Sequence, residues 1–384
     1  MLHESLPRIY SVIQPIIHKK NLHKMIKKIL ATLMITATFF STSIAQDSTK
    51  TLSFSGSIDG YYRHNFANAS DDIHSNNRTS FTNSQGAFSL GMASIKADAT
   101  ALSGKITGTV DLGFGPRAEE FSYYEKASGS SLTLMKQMYL TYALSSKVKL
   151  TAGKFATHVG YEVLDAPLNR NYSMSYMFTN GPFSHTGVKL DVTEGNVGFM
   201  LGLANYIDQT VSTTSTRSLI AQLSAGSASG KFKTYLNYAG CFGSTAGENP
   251  LALKSFSQLD LVVTGVLSDK FNIGFNGTVQ GRKQIDGSAL ASGSWNAAAL
   301  YLNIDPSSTV GLTLRSELVS DSKLVYFGTK NIFANTLSFN FKAGAFTFIP
   351  ELRIESAQSE YYTKNDGSSS KSTATALIAA VYKF

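Results

Sequence analysis

The feature that most constrains this chain is a regular alternation of polar and apolar residues that starts at Thr51 and continues to Phe384. Segments of about ten residues alternate polar and apolar side chains, which is the period of a β-strand with two different faces. The connections between segments alternate strictly between tight turns and long stretches rich in Ser, Gly, Asn and charged residues. This order predicts antiparallel strands with all tight turns at one rim and all long loops at the other.

Seven tight turns are predicted, at residues 103–105, 145–147, 194–196, 229–231, 268–270, 306–308 and 343–345. With eight long connections they imply sixteen strands in one domain, which extends from Gln46 to Phe384. The predicted strands are 51–62, 86–99, 105–114, 131–144, 147–156, 184–193, 196–206, 217–228, 231–241, 255–267, 270–282, 293–305, 308–320, 332–343, 345–357 and 372–384. An even number of strands places both ends of the domain at the tight-turn rim.

Alternation assigns an apolar outward face and a polar inward face to most of these strands. In the eleventh, Phe275 and Val279 point outward, while Asn276 and Thr278 point inward. The second and twelfth alternate too poorly for their faces to be assigned. After residue 45 there is no long apolar run, so a membrane location requires a closed barrel of strands. The predicted fold is therefore all-β, a single transmembrane up-and-down barrel whose sixteen strands enclose an aqueous lumen.

Ionisable side chains on the inward faces support a wet lumen. Each would cost several kcal/mol in lipid or in a dry core, so we expect water to solvate them. They are Asp111, Arg315, Glu317, Glu351, Arg353 and Glu355, with Lys342 lower on the same wall. Two interpretations stay open: these are plain solvated lumen residues, or some of them form a constriction that selects ions.

The stretch 155–187 interrupts this alternation with two prolines, several strand-ending Gly and Asn residues and many aromatic side chains. Its composition favours an ordered irregular loop between the fifth and sixth strands. In a ring of sixteen strands the opposite wall is formed by the thirteenth and fourteenth, which carry Arg315. Folded inward, the loop 157–183 would set Glu162 or Asp165 across from that cation, with Arg170 as a further candidate. Such a constriction carries a transverse field, and Arg315→Ala is expected to change ion selectivity.

The amino-terminal segment has the pattern of a secretory leader. Met25 precedes two lysines, an apolar run and a small-x-small site before Gln46, which predicts a signal peptide at 25–45 with cleavage near Ala45. Residues 1–24 either extend its basic region or follow a start codon placed too early, and a retained amphipathic anchor is the alternative. The first 45 residues hold six of the 34 basic side chains, so nucleic-acid binding is not predicted. A single cysteine, Cys241, excludes an internal disulfide framework.

Catalytic and metal-binding patterns were weighed against ordinary loop contacts. His158 and Glu162 are four residues apart, but Gly160 argues against a helix that would place them on one face. Ser184 and His185 are neighbours on a strand and therefore point in opposite directions. There is no phosphate-binding or dinucleotide fingerprint. We predict neither a catalytic site, nor a metal, nor a cofactor.

Family resemblance is carried by the same irregular stretch. Its pieces Gly153-Lys154-Phe155, Gly160-Tyr161-Glu162, Asn169-Arg170-Asn171-Tyr172-Ser173, Gly181-Pro182-Phe183 and His185-Thr186-Gly187 resemble the OmpL-like β-barrel porins, the second of the β-barrel porin families. The resemblance implies an outer-membrane channel for small solutes and supplies no particular substrate. The terminal Tyr-Lys-Phe resembles the carboxyl-terminal signal that outer-membrane barrels present to their assembly machinery.

The sequence thus predicts an outer-membrane porin that lets small hydrophilic solutes or ions diffuse passively, with its lumen narrowed by loop 157–183. The alternatives are a surface-exposed binding or adhesion barrel with a plugged lumen and an outer-membrane hydrolase. The predicted partners are membrane lipid, the assembly machinery through the strand that ends at Phe384, and the solutes. The sequence does not separate a homotrimer from a monomer.

Overall fold

The computed structural model describes residues 50–69, 75–212, 216–242, 253–284 and 291–384. Eighteen strands lie within them, and sixteen of these close into one barrel. The strands are β1 Thr51–Asn65, β2 Ala87–Ala101, β3 Ile106–Phe114, β4 Met135–Ala143, β5 Val148–Ala156, β6 Ser184–Glu194, β7 Val197–Asn205, β8 Arg217–Gly226, β9 Phe232–Phe242, β10 Leu253–Ser268, β11 Phe271–Gln284, β12 Gly293–Ile304, β13 Val310–Ser320, β14 Asn331–Ala343, β15 Phe346–Ala357, β16 Tyr362–Thr363, β17 Ser369–Ser370 and β18 Ser372–Lys383. The short helices are α1 Pro116–Phe121, α2 Tyr123–Ala127 and α3 Tyr176–Asn180.

Each barrel strand pairs antiparallel with its neighbours along the chain, and β18 closes the ring on β1. The predicted sixteen-strand barrel is therefore confirmed. The small pair β16–β17 belongs to the long connection before β18 and forms its own two-stranded sheet. Among the predicted segments, 131–144 starts too early, because Ser131–Leu134 forms a 3-10 turn whose preceding Ser130 hydroxyl accepts a hydrogen bond from the Leu132 amide.

The tight turns fall where the sequence predicts them. The turns 195–196 and 344–345 are only two residues long, and Gly195 and Gly344 there adopt φ angles of 57° and 60°. This left-handed conformation suits glycine and matches the twist of a two-residue hairpin. Among the described helices, none is both long and apolar enough to cross a bilayer.

Side chains alternate along the wall as expected from the strand period. On β13, Leu318 is 55% exposed while its neighbour Glu317 is 1% exposed. β12, whose faces the sequence left unassigned, buries Trp295 and Tyr301 inward. β2 alternates poorly because its pairing with β1 shifts register between Ile58 and Gly60, which is the mark of a β-bulge. The outward face is consequently an apolar band, and the inward face is mixed.

The carboxyl end completes the closure of the barrel. The amide of Phe384 donates to the Gly56 carbonyl at 3.0 Å, and the Gly56 amide donates back to Phe384 at 2.9 Å. The rings of Tyr382 and Phe384 both point outward and remain exposed. The last strand therefore ends in an apolar aromatic pair on the outer face of the seam between β18 and β1.

The barrel's interior contains packed loops. One buried cluster joins Tyr176 of α3 to Trp295 of the wall and to Phe327, and a second joins Phe81, Phe121 and Phe183. These clusters unite the loop 157–183 with residues of the segments 75–86, 115–134 and 321–330. An aromatic core therefore lies inside the ring of strands, where the sequence analysis expected water.

Candidate functional site

The loop 157–183 leaves β5 and returns to β6, but its contacts lie on other parts of the ring. Near its start, the Gly160 amide donates to Asp260 of β10 at 3.0 Å. Near its middle, the Tyr172 amide donates to Glu351 of β15 at 2.9 Å. The ring of Tyr161 stacks on Tyr301 of β12 with centroids 4.0 Å apart. The loop therefore contacts inward side chains of strands far from its own along the ring order.

Arg315 is the centre of these contacts. Its Nη1 lies 2.6 Å from Glu162 Oε1, its Nε lies 2.9 Å from Glu317 Oε1, and its side chain is completely buried. Nη1 also donates to the Ser173 carbonyl at 2.7 Å, and Nη2 donates to the Met174 carbonyl at 3.2 Å. One guanidinium thus binds a carboxylate and two carbonyls of the loop, which uses the fork geometry that distinguishes arginine from lysine.

Arg353 extends this arrangement along β15. Its Nη1 donates to the same Met174 carbonyl at 2.8 Å, and its Nη2 lies 2.9 Å from Glu355. We refer to Glu162, Arg315, Glu317, Arg353 and Glu355 as the Arg315 network. Its carboxylates outnumber its guanidinium groups, and backbone amides supply the remaining donors.

The amino-terminal end of α3 supplies those amides. The Tyr176 amide donates to Glu317 at 2.8 Å, and the Ser175 amide donates to Glu162 at 2.7 Å. The Ser175 hydroxyl accepts from the Phe178 amide and so caps the helix. The Tyr176 hydroxyl donates to Glu355 at 2.8 Å. The first turn of α3 is therefore fixed to two wall carboxylates through its backbone and its tyrosine.

Asp111 and Asp165 share a partner that the sequence analysis missed. Lys136 Nζ lies 3.0 Å from Asp111 and also contacts Asp165, and only 3% of the lysine side chain is exposed. The pairing of β3 and β4 shifts register next to Asp111, and this irregularity disturbs the alternation that would have revealed Lys136 as inward. Asp165 therefore meets Lys136, and Glu162 is the loop carboxylate that meets Arg315.

Arg170 forms a second anchor of the loop. Its two terminal nitrogens donate to Asp305 at 3.0 and 2.8 Å, and its Nε donates to the Thr313 hydroxyl at 2.7 Å. Lys342 lies 3.5 Å from the same Asp305 carboxylate. Hydrogen bonds from Arg170 hold the pKa of Asp305 below its ordinary value. Asp305 lies in the turn between β12 and β13 and is not among the predicted lumen residues.

The expectation that water solvates the inward charges is wrong for six of the seven predicted wall residues. Within the described residues, these six are at most 6% exposed and have ion-pair or hydrogen-bond partners, whereas Lys342 is 39% exposed and lies 3.5 Å from Asp305. The physical reason is that the loop brings its own amides, carbonyls and ions to them, which replaces solvation by hydrogen bonds. The seven are Asp111, Arg315, Glu317, Lys342, Glu351, Arg353 and Glu355.

A second element, the connection 115–134, packs against this loop and was not predicted to do so. Arg117 of α1 is fully buried, donates to the Leu164 carbonyl at 3.1 Å and lies 4.7 Å from the Tyr172 ring centroid. The Tyr172 hydroxyl in turn donates to Asp59 of β1. Asp59 lies on the inward face of β1, opposite the bulge in β2, and the regular alternation of β1 at this position would have identified it as inward.

The two histidines considered for catalysis lie together at the side of the lumen. Their rings are 5.2 Å apart, His158 Nε2 lies 3.0 Å from the Tyr238 carbonyl, and His185 lies 3.2 Å from Thr157. Burial lowers the pKa of His158 to about 4. Glu162 is bound to Arg315 instead of to either ring. In the described part of the chain, no group of three or more His, Cys, Asp or Glu side chains could hold a metal ion.

Open space remains on both sides of the packed loops. A cavity of about 800 Å³ is lined by inward residues of β2 to β6, including Thr109, Lys149 and Asp191. A smaller one, of about 310 Å³, lies between Pro167 of the loop and Lys342 of β14. Nearer the long loops, a cavity of about 380 Å³ is lined by Tyr123, Arg282 and Tyr326, among others.

Comparison with known proteins assigns the family. The family described as "Putative beta-barrel porin-2, OmpL-like" matches residues 51–384. The chain belongs to this porin family. The match covers the whole barrel and confirms the resemblance inferred from the loop motifs. The porin is an outer-membrane β-barrel.

Solved structures support the same fold for the porin. It is similar to the outer membrane channel DcaP of Acinetobacter baumannii, with 13% identity over 88% of this chain and 98% of that chain and a TM-score of 0.59. An anion-selective porin from Comamonas acidovorans has 10% identity over 87% of this chain and 100% of that chain, with a TM-score of 0.58. OmpT of Vibrio cholerae in its trimer form has 13% identity over 88% of this chain and 100% of that chain, with a TM-score of 0.57. No curated protein matches the chain.

Proposed function

We propose that the porin lets small hydrophilic solutes diffuse passively across the outer membrane through a lumen narrowed by loop 157–183. The observation that carries this proposal is the contact of the loop with β10, β12, β13 and β15, centred on the 2.6 Å pair of Glu162 and Arg315. A loop held at so many points is a fixed obstacle, because each buried ion pair opposes its withdrawal. The cavities beside it then set the size of solute that passes.

Liposome swelling with sugars of increasing size tests both parts of this proposal. The wild-type porin should admit the smallest sugars and exclude larger ones, while removal of residues 160–180 should raise the size limit and the conductance in planar bilayers. The double variant Glu162→Gln, Glu317→Gln keeps the chain length and loosens the same contacts, so it serves where the deletion does not fold. If the wild type and both variants fold and show equal size limits, loop 157–183 does not narrow the lumen. If none of them shows swelling or conductance, solutes do not diffuse through the barrel.

The second candidate is a plugged barrel with a binding or adhesion role at the cell surface. It is favoured by the completeness of the packing, since Arg117, Tyr172, Tyr176 and Trp295 are all less than 2% exposed. A plugged wild-type barrel would admit no sugar and carry no current, yet the deletion of 160–180 would open it. A closed wild type together with an open deletion variant would support the plugged barrel and contradict passive diffusion.

A hydrolase is the third class to be tested. In the described residues, neither His158 nor His185 forms a hydrogen bond with a carboxylate, so no acidic side chain orients either ring. A catalytic triad needs that third group. We expect no turnover of simple esters by the purified porin, and turnover that disappears in His185→Ala would contradict this.

We also propose that the porin assembles as a homotrimer, as the trimer form of Vibrio cholerae OmpT does. A groove of about 390 Å³ on the outer face supports this, because small residues such as Gly60 and Ala380 form its floor. Phe88, which is 87% exposed, stands at its edge. Mass measurement in detergent should give three chains for the wild type and one for Phe88→Arg. A monomeric wild type would contradict the trimer.

A further inference from the structure

We infer that the lumen holds a binding site for a small, multiply charged oxyanion of the phosphate class at Arg170, Lys342 and Lys383. The site lies on the short-turn side of loop 157–183, in the cavity of about 310 Å³ that these three residues line. It deepens the proposed diffusion function, because a solute that passes the loop on this side meets it. An excess of positive charge, the ammonium donors of two lysines and the register of three neighbouring strands support this site.

Positive charge is in excess in this cavity. No acidic side chain lines it, and Asp305, which lies outside the lining, is bound by both terminal nitrogens of Arg170, so Lys342 and Lys383 supply the excess. Lys342 lies 3.5 Å from that carboxylate, a distance too long for a strong bond. In the described residues, neither a side-chain carboxylate nor the terminal carboxylate of Phe384 forms an ion pair within 4.0 Å of Lys383 Nζ, and a Phe384 oxygen accepts from the Gly56 amide of β1. A partly enclosed cavity with excess positive charge attracts anions.

The inward donors converge because of the strand register. Lys342 of β14 pairs with Thr347 of β15, which pairs with Val381 of β18, so all three lie side by side on the inner face. Lys383 follows Val381 by two residues and points to the same side. Adjacent strands are about 4.8 Å apart, which puts the two lysine backbones roughly 10 Å apart laterally and lets both long side chains reach one ligand between them.

The donors fit a tetrahedral oxyanion better than a halide or a neutral sugar. Two ammonium groups provide up to six N–H donors, and the Thr347 hydroxyl lines the same wall. Arg170 forms part of the cavity wall, because its Nε is bound to Thr313, its terminal nitrogens are bound to Asp305, and the charge of that carboxylate offsets its own. Several oxygens of one phosphate satisfy several such donors at once, and lysine binds phosphate as a point charge.

Calorimetric titration of the detergent-solubilised porin with inorganic phosphate tests the site without requiring conductance. We expect saturable binding that weakens about tenfold for each of Lys342→Gln and Lys383→Gln, because each removes a charged donor. Lys270→Gln is the matched control, since Lys270 lies in an exposed turn at the same rim and lines none of the cavities described here. In bilayers, phosphate should reduce the chloride current of the wild type and leave the double variant unaffected.

Several outcomes would overturn the inference. Absence of saturable phosphate binding to the wild type would remove the site, and equal weakening in Lys270→Gln would show that rim charge alone attracts the anion. Binding unchanged in the Lys342→Gln, Lys383→Gln double variant would place the phosphate elsewhere. These results are separate from failure of the proposed function, which appears as absence of current in potassium chloride alone.

Discussion

The carboxylate of Glu162 lies 2.6 Å from the guanidinium of Arg315, although 153 positions separate the two residues in the chain. One belongs to a loop that leaves the ring at β5, and the other belongs to β13. Both side chains are almost fully excluded from solvent, at 5% and 0% exposure. A contact of this kind joins a loop to the far wall of a barrel and makes the loop part of the folded core.

Glu162→Gln should therefore weaken the whole loop. The change leaves Arg315 with Glu317 alone, and removal of one partner from a buried ion pair costs about 3 kcal/mol or more in unfolding free energy. Urea unfolding followed by the emission of Trp295, the single tryptophan, measures this directly. Glu194→Gln is the control, because its carboxylate forms an exposed pair with Lys147 and should contribute little. Equal stability of wild type and Glu162→Gln would contradict the role given to the pair.

Gly91→Ala should break a different anchor of the same loop. A Cβ at Gly91 would lie 1.7 Å from Asp59 Oδ1 and 2.5 Å from the Tyr172 hydroxyl, so the hydrogen bond between Tyr172 and Asp59 cannot survive unchanged. Overpacking of this kind costs about 1 to 3 kcal/mol. Gly281→Ala is the matched control, because its Cβ would come no closer than 3.8 Å to a neighbour. The same unfolding assay should separate the two variants, and similar losses would contradict the steric argument.

Phe384→Ala should reduce the yield of folded barrel in the outer membrane. The substitution keeps the backbone pair with Gly56 but removes the outward ring at the seam of β1 and β18. We propose that this ring is part of the signal read by the assembly machinery. The fraction of protein with heat-modifiable mobility in isolated membranes measures assembly. Leu352→Ala, an outward residue of β15, should assemble normally, and equal yields for both variants would contradict the proposal.

The strands were predictable because their determinants are local. Period-2 polarity and turn residues act over a few positions, so β13 and β15 could be placed and their inward charges named before the structure was known. Arg315 and Glu162 could be put on opposite sides of one lumen from the strand count alone. The number of strands does not predict how the lumen is packed, because that packing depends on how four long connections fill a common space.

The missed partners have a physical explanation in the backbone. Lys136 lies beside an irregularity in the pairing of β3 and β4, where an extra residue reverses the direction of the side chains that follow, so alternation fails at this position. At Asp59 the alternation of β1 is regular, so the inward direction of this side chain was predictable even though its contact with Tyr172 was not. Arg117 was missed for another reason, since it lies on a helix of six residues whose contacts with Leu164 and Tyr172 are wholly tertiary. A bulge beside a charged residue, as at Lys136, marks a position where simple alternation assigns the side chain to the wrong face.

His158 should make the stability of the porin depend on pH. Burial lowers its pKa to about 4, below the ordinary value of 6.5. Between these values the unfolded chain binds a proton that the folded porin does not, so the free energy of unfolding falls as the pH falls from about 6.5 to about 4. The full effect is on the order of 3 kcal/mol. Above pH 6.5 both states are neutral at His158, and the contribution vanishes.

His158→Gln isolates this effect, because glutamine can still donate to the Tyr238 carbonyl but does not titrate. Asp208 opposes the trend in both proteins: burial raises its pKa to about 6, so its contribution to stability decreases as the pH rises through that region. The difference between wild type and variant cancels Asp208 and leaves His158. Unfolding by urea at about pH 7, 5.5 and 4, followed by Trp295 emission, should show the variant gaining stability relative to wild type as the pH falls. If the difference in unfolding free energy between wild type and variant stays constant over this range, the His158 imidazole titrates as it does in water. His158 would then not be one of the buried contacts that hold the loop.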